Sequence, residues 1–390
     1  MNRKILCTSY NGDLGGGELR LLEYLKLSSL PRQSFAVAVF EQGPFADQIR
    51  RLGIDVLHIP WSLATPRPRR QLQDWRASRA LLRFVSEQGA GIVFCNTFND
   101  FDLICRRTKN WKTPLVLRSR AEVFPYFERY PMERRRQIIE HLNSCAKRIL
   151  TTTEYDRTMM IDEGVREEKV YIVRQGVDVG AYDEARPAGC ELRRSFGFDQ
   201  EHTVFGFFGR IVPQKGHEVF LEALRTVHNQ RPEVRALIVG DAAADGSDPD
   251  GYRKFIERRI GELGVADIVV RTGFRADVPA LMNAIDIMVH ASLIEPFGTV
   301  IVEGMGTGRA VIASNTLGPR EIIENGRTGM LLPPGDSGAL ASAMLRLVDN
   351  PELTRSFGER AKAFVRENFS LKATIGKLDQ HLSEVLEFPL

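Results

Sequence analysis

Short apolar runs alternate with longer segments of mixed polarity along most of the chain. Each run is about six to eight residues long, is rich in Val, Ile, Leu and Phe, and ends at polar or turn-forming residues, which is typical of a buried parallel strand. In the first part of the chain such runs lie at 4–9, 35–40, 54–60, 91–96, 114–119, 148–153 and 169–174. Helices are predicted after the first run, from Pro44, near Leu72–Glu87, near Met132–Ala146 and from Glu154 to Glu163.

A second series of the same kind follows. Its strands are predicted at 203–209, 234–240, 267–273, 285–292 and 309–314, and its helices at 217–230, 251–263, 277–283, 336–349, 352–367 and 371–386. The stretch 175–202 between the two series is polar, contains Gly and Pro and has no sustained period, which predicts an interdomain hinge. Strands that alternate with helices twice over predict two α/β domains, each with a doubly wound parallel sheet.

Length, composition and charge agree with this architecture. A chain of 390 residues is longer than one ordinary hydrophobic core accommodates, which favours two domains. Its composition, with 43% hydrophobic and 26% charged residues, indicates a globular protein. A net charge of +3 argues against nucleic acid as a partner. The cysteines are odd in number and lack CxxC spacing, so reduced structural thiols are expected. No apolar run resembles a signal peptide or a spanning helix, so we expect a cytoplasmic protein, at most peripheral on the inner face of a membrane.

The first candidate ligand-binding feature is the glycine-rich turn after the first strand. Gly15, Gly16 and Gly17 let the backbone approach a ligand closely, and the helix behind them offers free N–H groups to an anion. The simpler alternative is an ordinary strand-to-helix turn. The turn does not match G-x-G-x-x-G, and no segment matches the Walker A phosphate loop.

Two cations and two carboxylates lie in the second series. Arg210 directly follows a strand, and Lys215 precedes Gly216 and a helix, which suits a diphosphate but also fits a solvated loop. Glu295 lies in a loop after the strand 285–292, and Glu303 is eight positions later, in the helix predicted to open at Gly298. Carboxylates so placed suit either a general acid/base pair or a polyhydroxyl ligand. The cations at the same sheet edge favour the second interpretation, a nucleotide-sugar site.

Several motifs in order now identify a family. They are GR-x4-KG at 209–216, EPFGTVIVE at 295–303, EGMGTGRAVIAS at 303–314 and GPREIIENGRTGMLLPPGD at 318–336, with weaker motifs at 15–18, 43–60 and 170–179. Together they resemble a retaining glycosyltransferase of family 4, built on the GT-B fold. The resemblance implies two Rossmann-like domains facing across a cleft. The acceptor domain would be residues 1–180 joined by helix 371–390, and the donor domain residues 181–370.

The resemblance also implies roles. Arg210 and Lys215 would clamp the diphosphate of a UDP- or GDP-sugar without a metal cofactor and stabilise the leaving group, with Glu295 on the sugar hydroxyls. Glu303 would bind the ribose diol. The backbone at Phe297, Gly298, Thr299 and Val300 would meet phosphate or sugar, and Gly15–Gly17 would close over the phosphates. The acceptor would be a glycan, a lipid-linked sugar or a small molecule, and polysaccharide biosynthesis is the expected setting.

One departure from the family concerns Arg120. Many relatives carry a His there, close to the donor sugar, and an arginine cannot replace a neutral imidazole, although it could hold an anion. Arg120 could instead pair with Glu122. Asn96 and Asn99, after the strand 91–96, are candidates for the acceptor side.

For several other residues, a purely structural role competes with a functional one. His217 is predicted to be a surface cap of its helix, with a catalytic role as the alternative. His290 is predicted to be a satisfied core residue, with contact to the ligand as the alternative because it lies near Glu295. The run Arg134–Arg136 is expected on a solvated helix face, with contact to an anionic membrane as the alternative. The Asp-Pro-Asp sequence in the loop 241–251 has no other ligand cluster around it, so no metal site is expected.

Two alternatives to a transferase remain open. A nicotinamide-dependent oxidoreductase or a sugar-nucleotide-modifying enzyme could use the Gly12–Gly17 turn with Glu41, but would leave Arg210, Lys215 and the two glutamates unused. A catalytically silent GT-B protein that only binds a partner would retain the fold without turnover.

Overall fold

The computed structural model describes residues 3–12, 16–61, 67–107, 112–119, 127–128, 130–242 and 251–387. Four features named above lie outside these residues: Gly15, Arg120, Glu122 and the Asp-Pro-Asp sequence at 248–250. The chain divides into two compact units. Unit 1 comprises Met1–Arg174 and Lys372–Leu390, and unit 2 comprises Gln175–Leu371.

Unit 1 is built on a seven-stranded sheet with the order β3-β2-β1-β4-β5-β6-β7. Every neighbouring pair in it is parallel. The strands are β1 Lys4–Ser9, β2 Phe35–Val39, β3 Asp55–His58, β4 Ala90–Cys95, β5 Leu115–Arg118, β6 Ala146–Thr151 and β7 Val170–Ile172. The helices are α1 Gly16–Leu27, α2 Pro44–Arg51, α3 Arg67–Glu87, α4 Phe98–Arg107, α5 Met132–Cys145, α6 Glu154–Asp162 and, from the end of the chain, α16 Leu371–Glu387.

Unit 2 has a six-stranded parallel sheet with the order β10-β9-β8-β11-β12-β13. Its strands are β8 Thr203–Phe208, β9 Val234–Val239, β10 Val269–Arg271, β11 Ile287–His290, β12 Ala310–Ser314 and β13 Met330–Leu332. Its helices are α7 Val179–Glu184, α8 Arg186–Ser195, α9 His217–His228, α10 Tyr252–Glu262, α11 Val278–Asn283, α12 Thr299–Gly306, α13 Pro319–Ile322, α14 Ser337–Val348 and α15 Pro351–Asn368. The predicted fold class, two doubly wound parallel-sheet α/β domains, is confirmed.

The central strands are buried on both faces, which explains their unbroken apolar runs. All five residues of β2 are buried, as are all four of β11. Several helices begin at side-chain caps that accept a free backbone N–H: Thr153 from Asp156 at 3.1 Å, Asp178 from Gly180 at 3.0 Å and Asp336 from Ala339 at 2.8 Å. Local sequence therefore fixes where these helices start.

The stretch 175–202 is not the irregular hinge that its composition predicted. It contains α7 and α8. The glycine in α8 that argued against a helix, Gly189, is where this helix meets its neighbour, because a Cβ there would lie 2.3 Å from Cβ of Asn283 in α11. Helix α4 was also missed. Its first turn is fixed by Thr97, whose Oγ1 donates to the Asp100 carboxylate at 2.6 Å.

Helix α16 returns to unit 1 and is tied to α1 by one buried carboxylate. Asp379 accepts hydrogen bonds from the Tyr24 hydroxyl at 2.8 Å, the Ser28 hydroxyl at 2.6 Å and the Ser29 backbone N–H at 2.8 Å. Beside this network, Leu382 is fully buried. Helix α16 is therefore part of the core of unit 1.

Two further observations concern surfaces and thiols. Among the described helices, none combines the length and apolar character needed to cross a bilayer. The five cysteines are all free thiols: Cys7, Cys95, Cys105, Cys145 and Cys190.

Candidate functional site

The strand order of unit 2 reverses between β8 and β11, which are hydrogen-bonded neighbours near its centre. Such a switch point opens a crevice outside the carboxyl ends of the two strands, because the loops that follow them leave toward opposite faces of the sheet. The loop after β8 carries Arg210 and Lys215, and the loop after β11 carries Glu295. Residues some 80 positions apart are thus brought to one edge.

The two loops are fastened to each other by their backbones. The Leu293 N–H donates to the Gln214 carbonyl at 2.8 Å. Gly216 has φ +73°, and a Cβ there would lie 2.1 Å from the Ala291 carbonyl oxygen. No residue with a side chain fits without moving one loop, so the glycine of the KG motif sets their separation.

Lys215 and Glu295 form an ion pair across this junction. The Lys215 Nζ lies 2.6 Å from Glu295 Oε2, and the side chains are 24% and 10% exposed. The same carboxylate oxygen lies 2.9 Å from His290 Nε2 and accepts a weak hydrogen bond from the Ser292 hydroxyl at 3.4 Å. Glu295 is therefore the centre of a compact polar cluster at the end of β11.

The cluster keeps Glu295 ionised. Burial raises the pKa of this carboxyl, but the hydrogen bonds and charges of His290 and Lys215 outweigh burial and lower the pKa from 4.5 to about 2. A depressed pKa means that the ionised pair stabilises the fold above the ordinary carboxyl pKa, and that this contribution is lost as pH falls from 4.5 toward about 2. At neutral pH Glu295 is a hydrogen-bond acceptor and not a general acid.

Helix α12 begins at Thr299, shortly after Glu295. Its N-cap, Gly298, has φ +96°, and a Cβ there would lie 3.3 Å from Glu295 Cγ. The free N–H groups of the first turn at Thr299 and Val300 favour an anion. The Phe297 side chain is 7% exposed and packs in the core, so this residue has only its backbone to offer a ligand.

The remaining donor-side candidates differ in exposure. Arg210 is exposed beyond the end of β8 and forms no ion pair with the part of the chain that the structure describes. Glu303 lies in α12 and is 9% exposed. The Thr299 hydroxyl donates to Gln175 Oε1 at 3.1 Å, a contact that no motif predicted.

The prediction for His217 was wrong. Its side chain is fully buried, and its ring centroid lies 4.5 Å from that of the Phe207 ring, with the two ring planes tilted by 47°. Burial, followed by the electrostatic effect of nearby Lys215 and His290, lowers the pKa of His217 to about 3, so the imidazole is neutral. Neither ring nitrogen has a hydrogen-bond partner among the described residues. His217 is an interior residue at the start of α9 and not a surface cap.

Unit 1 has its own switch point between β1 and β4. Gly16 and Gly17 form the start of α1 there, and the Asn96 side-chain amide donates to the Gly17 carbonyl at 3.4 Å. Glu18 is 1% exposed and accepts from the Ser9 hydroxyl at 3.0 Å. Asn99 lies in the first turn of α4 and is half-buried. Asn96 is thus committed partly to holding the glycine turn.

The arginine run in α5 is more engaged than expected for a solvated face. Arg134 pairs with Asp102 at 2.6 Å, and the Arg135 Nε donates to the Tyr130 carbonyl at 2.9 Å. Arg136 is exposed. The patch therefore presents less free charge to an anionic surface than the sequence suggests.

The sequence shows that His290 lies close to Glu295 along the chain, but no motif predicted that the two side chains contact each other. A signal was present: His290, Ser292 and Glu295 all lie within six residues at the end of an apolar run. Within the described ranges, no group of His, Cys, Asp and Glu side chains could hold a metal ion.

Comparison with known proteins agrees with this geometry. Residues 15–180 match the family Glycosyltransferase Family 4, and residues 190–364 match the family Glycosyl transferases group 1. An alpha-D-kanosaminyltransferase of Streptomyces kanamyceticus is 33% identical over 192 residues, 49% of this chain and 47% of the relative. A D-inositol 3-phosphate glycosyltransferase of Corynebacterium glutamicum is 28% identical over 255 residues, 64% of this chain and 59% of the relative. The chain spans about half the length of the curated relatives it matches.

Solved structures extend the similarity to the whole chain. The crystal structure of Anabaena HepE in complex with UDP has a TM-score of 0.83 at 27% identity and covers 98% of this chain and 100% of that one. The same protein in complex with UDP-glucose has a TM-score of 0.84 at 27% identity, covering 98% and 99%. A sucrose-phosphate synthase of Thermosynechococcus elongatus shares the fold, with a TM-score of 0.80 at 19% identity, covering 98% and 99%. From the two family matches and these structures, the chain belongs to the glycosyl transferases of group 1 and family 4 and has the GT-B fold.

Proposed function

We propose that this protein is a retaining glycosyltransferase that moves a sugar from a UDP-sugar to a hydroxyl group of an acceptor. The observation that carries the proposal is the Lys215–Glu295 pair, a cation and an acceptor carboxylate held 2.6 Å apart at the switch point of unit 2. A nucleotide sugar needs both, because its diphosphate is anionic and its sugar is a set of hydroxyl donors. The family assignment sets the oxidoreductase alternative aside.

The choice of UDP over GDP is supported by similarity. HepE, 27% identical, is described in complex with UDP and with UDP-glucose. In this proposal Arg210 and Lys215 bind the diphosphate, Glu303 accepts hydrogen bonds from the ribose diol, and Glu295 accepts them from the sugar. The backbone N–H groups at the start of α12 face phosphate or sugar.

The chemistry follows from where charge develops. Breaking the anomeric C–O bond places negative charge on the departing diphosphate and positive charge on the sugar ring. Arg210, Lys215 and the N-termini of α9 and α12 supply positive charge that stabilises the first of these charges. Retention follows if the acceptor attacks from the face the diphosphate leaves, with a leaving phosphate oxygen taking the acceptor's proton.

We assign the acceptor to unit 1. Its switch point carries Asn96, Asn99 and the start of α1 at Gly16 and Gly17, where backbone and amide groups suit hydroxyls or phosphate. The acceptor classes proposed are a glycan, a lipid-linked sugar and a small polyhydroxyl molecule, with surface-polysaccharide assembly as the setting.

A binding screen tests the proposal. Thermal unfolding is measured with UDP-, GDP-, ADP- and CMP-sugars and with NADH, and a ligand at 100 times its Kd should add about 2.7 kcal/mol to the free energy of unfolding. We expect stabilisation by a UDP-sugar, release of UDP with a suitable acceptor, and a product with the donor's anomeric configuration by NMR. Binding of NADH without any sugar nucleotide would refute the transferase, and binding without turnover of any donor and acceptor would favour a silent protein.

A further inference from the structure

Within the described residues, the three polar contacts of the Glu295 carboxylate all converge on one oxygen. Oε2 lies 2.6 Å from Lys215 Nζ, 2.9 Å from His290 Nε2 and 3.4 Å from the Ser292 hydroxyl. A carboxylate carries two oxygens, each able to accept two hydrogen bonds. Loading one oxygen fixes the plane of the group and leaves the other, Oε1, to face a ligand.

The two close partners of Oε2 differ in how firmly they are held. Lys215 lies on a loop, is 24% exposed and has a flexible four-carbon stem. His290 is 2% exposed and is the last residue of β11, paired with Ala313 in the neighbouring strand. Its backbone is therefore part of the central sheet, and its ring is packed in the interior. Only His290 is fixed by the fold itself.

Under the proposed function, Lys215 would gain a second partner when a donor binds. A diphosphate with charge near −2 competes with Glu295 for the ammonium group, so binding draws Lys215 away from Oε2. If Lys215 were the only partner, Glu295 would lose its orientation just when the sugar arrives. Nε2 of His290 can carry a hydrogen in the neutral or the charged imidazole, so its bond to Oε2 persists in either state.

We infer that His290 is a positioning residue: its Nε2–H holds Oε2 of Glu295, so that Oε1 stays aimed at the donor sugar while Lys215 turns to the diphosphate. This inference rests on the proposed function. His290 itself touches neither donor nor acceptor. The Ser292 hydroxyl, 3.4 Å from both His290 Nε2 and Glu295 Oε2, is a secondary support. A locked supporting residue matters because catalytic groups displaced by about 1 Å lose much of their effect.

Two substitutions of His290 separate positioning from packing. In His290→Gln the side-chain amide nitrogen reaches about as far as Nε2, whereas in His290→Asn it stops at the level of Nδ1. Affinities for UDP and for UDP-glucose are measured by calorimetry, together with kcat and KM. We expect His290→Asn to bind UDP as the wild type does but UDP-glucose about tenfold more weakly, because Glu295 without its His290 support makes a poorer charged hydrogen bond to the sugar, a contact that UDP lacks. His290→Gln should restore most of that loss.

The results separate this inference from the proposed function. A wild-type protein that binds no sugar nucleotide overturns the function, and UDP-glucose and UDP affinities that fall equally in His290→Asn overturn the positioning role. If both variants misfold, as judged by thermal unfolding, the positioning role is tested without any donor by imidazole 15N NMR of proteins that retain His290. The His290 resonance should shift in Glu295→Gln and stay unchanged in the control Glu359→Gln, an exposed residue of α15. No shift in Glu295→Gln would also refute the positioning role.

Discussion

Lys215 and Glu303 have proposed roles that kinetics can distinguish, because Lys215 would act on the leaving group and Glu303 on the nucleoside. Lys215 lies beside Glu295 at the carboxyl edge of the sheet. Glu303 is buried within α12. A ribose contact is present equally in the donor and in the nucleotide product, whereas a contact with the leaving phosphate strengthens as the bond breaks.

We therefore predict different kinetic signatures for the two alanine variants. Lys215→Ala should lower kcat by about 10²–10³, the usual loss when one stabilising group for a developing charge is removed. Glu303→Ala should raise the Kd of UDP and of the UDP-sugar by similar factors and change kcat little. Steady-state kinetics and calorimetry measure both, with Lys377→Ala, an exposed lysine of α16, as the control. Wild-type kinetics in both variants would place the site elsewhere.

At the scale of elements, the site depends on how closely two loops approach. The loops after β8 and β11 are joined at Leu293 and Gln214, and Gly216 permits the approach. Neither loop alone brings a cation to a carboxylate. The separation of the loops, and not the presence of the residues, decides whether Lys215 reaches Glu295.

Gly216→Ala tests this dependence. Its Cβ would lie 2.1 Å from the Ala291 carbonyl oxygen, so the loops must separate, and we expect the UDP-sugar Kd to rise at least tenfold with a lower Tm. The matched control is Gly197→Ala. Gly197 has φ +75°, almost the same as Gly216, but nothing lies within 4 Å of its added Cβ. It should show the backbone strain of about 1–2 kcal/mol without loss of donor affinity. Equal donor affinities in the two variants would contradict the loop argument.

For the whole molecule, the notable feature is that unit 1 is assembled from both ends of the chain. Residues Lys372–Leu390 belong to unit 1, although they follow unit 2 in sequence. Asp379 anchors this return through its bonds to Tyr24, Ser28 and Ser29. All three tryptophans, Trp61, Trp75 and Trp111, belong to the sequence of unit 1, so their fluorescence reports on that unit.

Asp379→Ala should destabilise unit 1 selectively. It leaves buried hydroxyl and N–H donors without their charged acceptor, and each such bond contributes about 1.5–3 kcal/mol. We expect the urea transition followed by tryptophan fluorescence to move to lower urea, with a loss of at least about 2 kcal/mol. The control is Glu387→Ala, an exposed carboxylate at the end of the same helix. A transition unchanged from that of the control would show that the end of the chain does not stabilise unit 1.

Much of the fold was predictable because strands and helices are local in origin. Buried parallel strands consist of apolar runs in the sequence. Strands β1, β8 and β12 lie where those runs predicted them. Two of the helices that were missed have different causes. Gly189 in α8 is a helix breaker by local propensity, and only its contact with α11 makes a glycine necessary there. The start of helix α4 is fixed by a polar contact between Thr97 and Asp100, which a search for apolar periodicity does not detect.

The sequence by itself determined the two α/β domains, the family and the residue types at the site, because strand patterning, glycine positions and motif spacing are local properties of the chain. It could not determine that Lys215, His290 and Ser292 share one oxygen of Glu295. Nor could it determine that His217 is buried. These are contacts between loops brought together by the strand order, and side-chain burial depends on neighbours distant in sequence. The tertiary structure alone therefore decided which oxygen of Glu295 is held and which is left for a ligand.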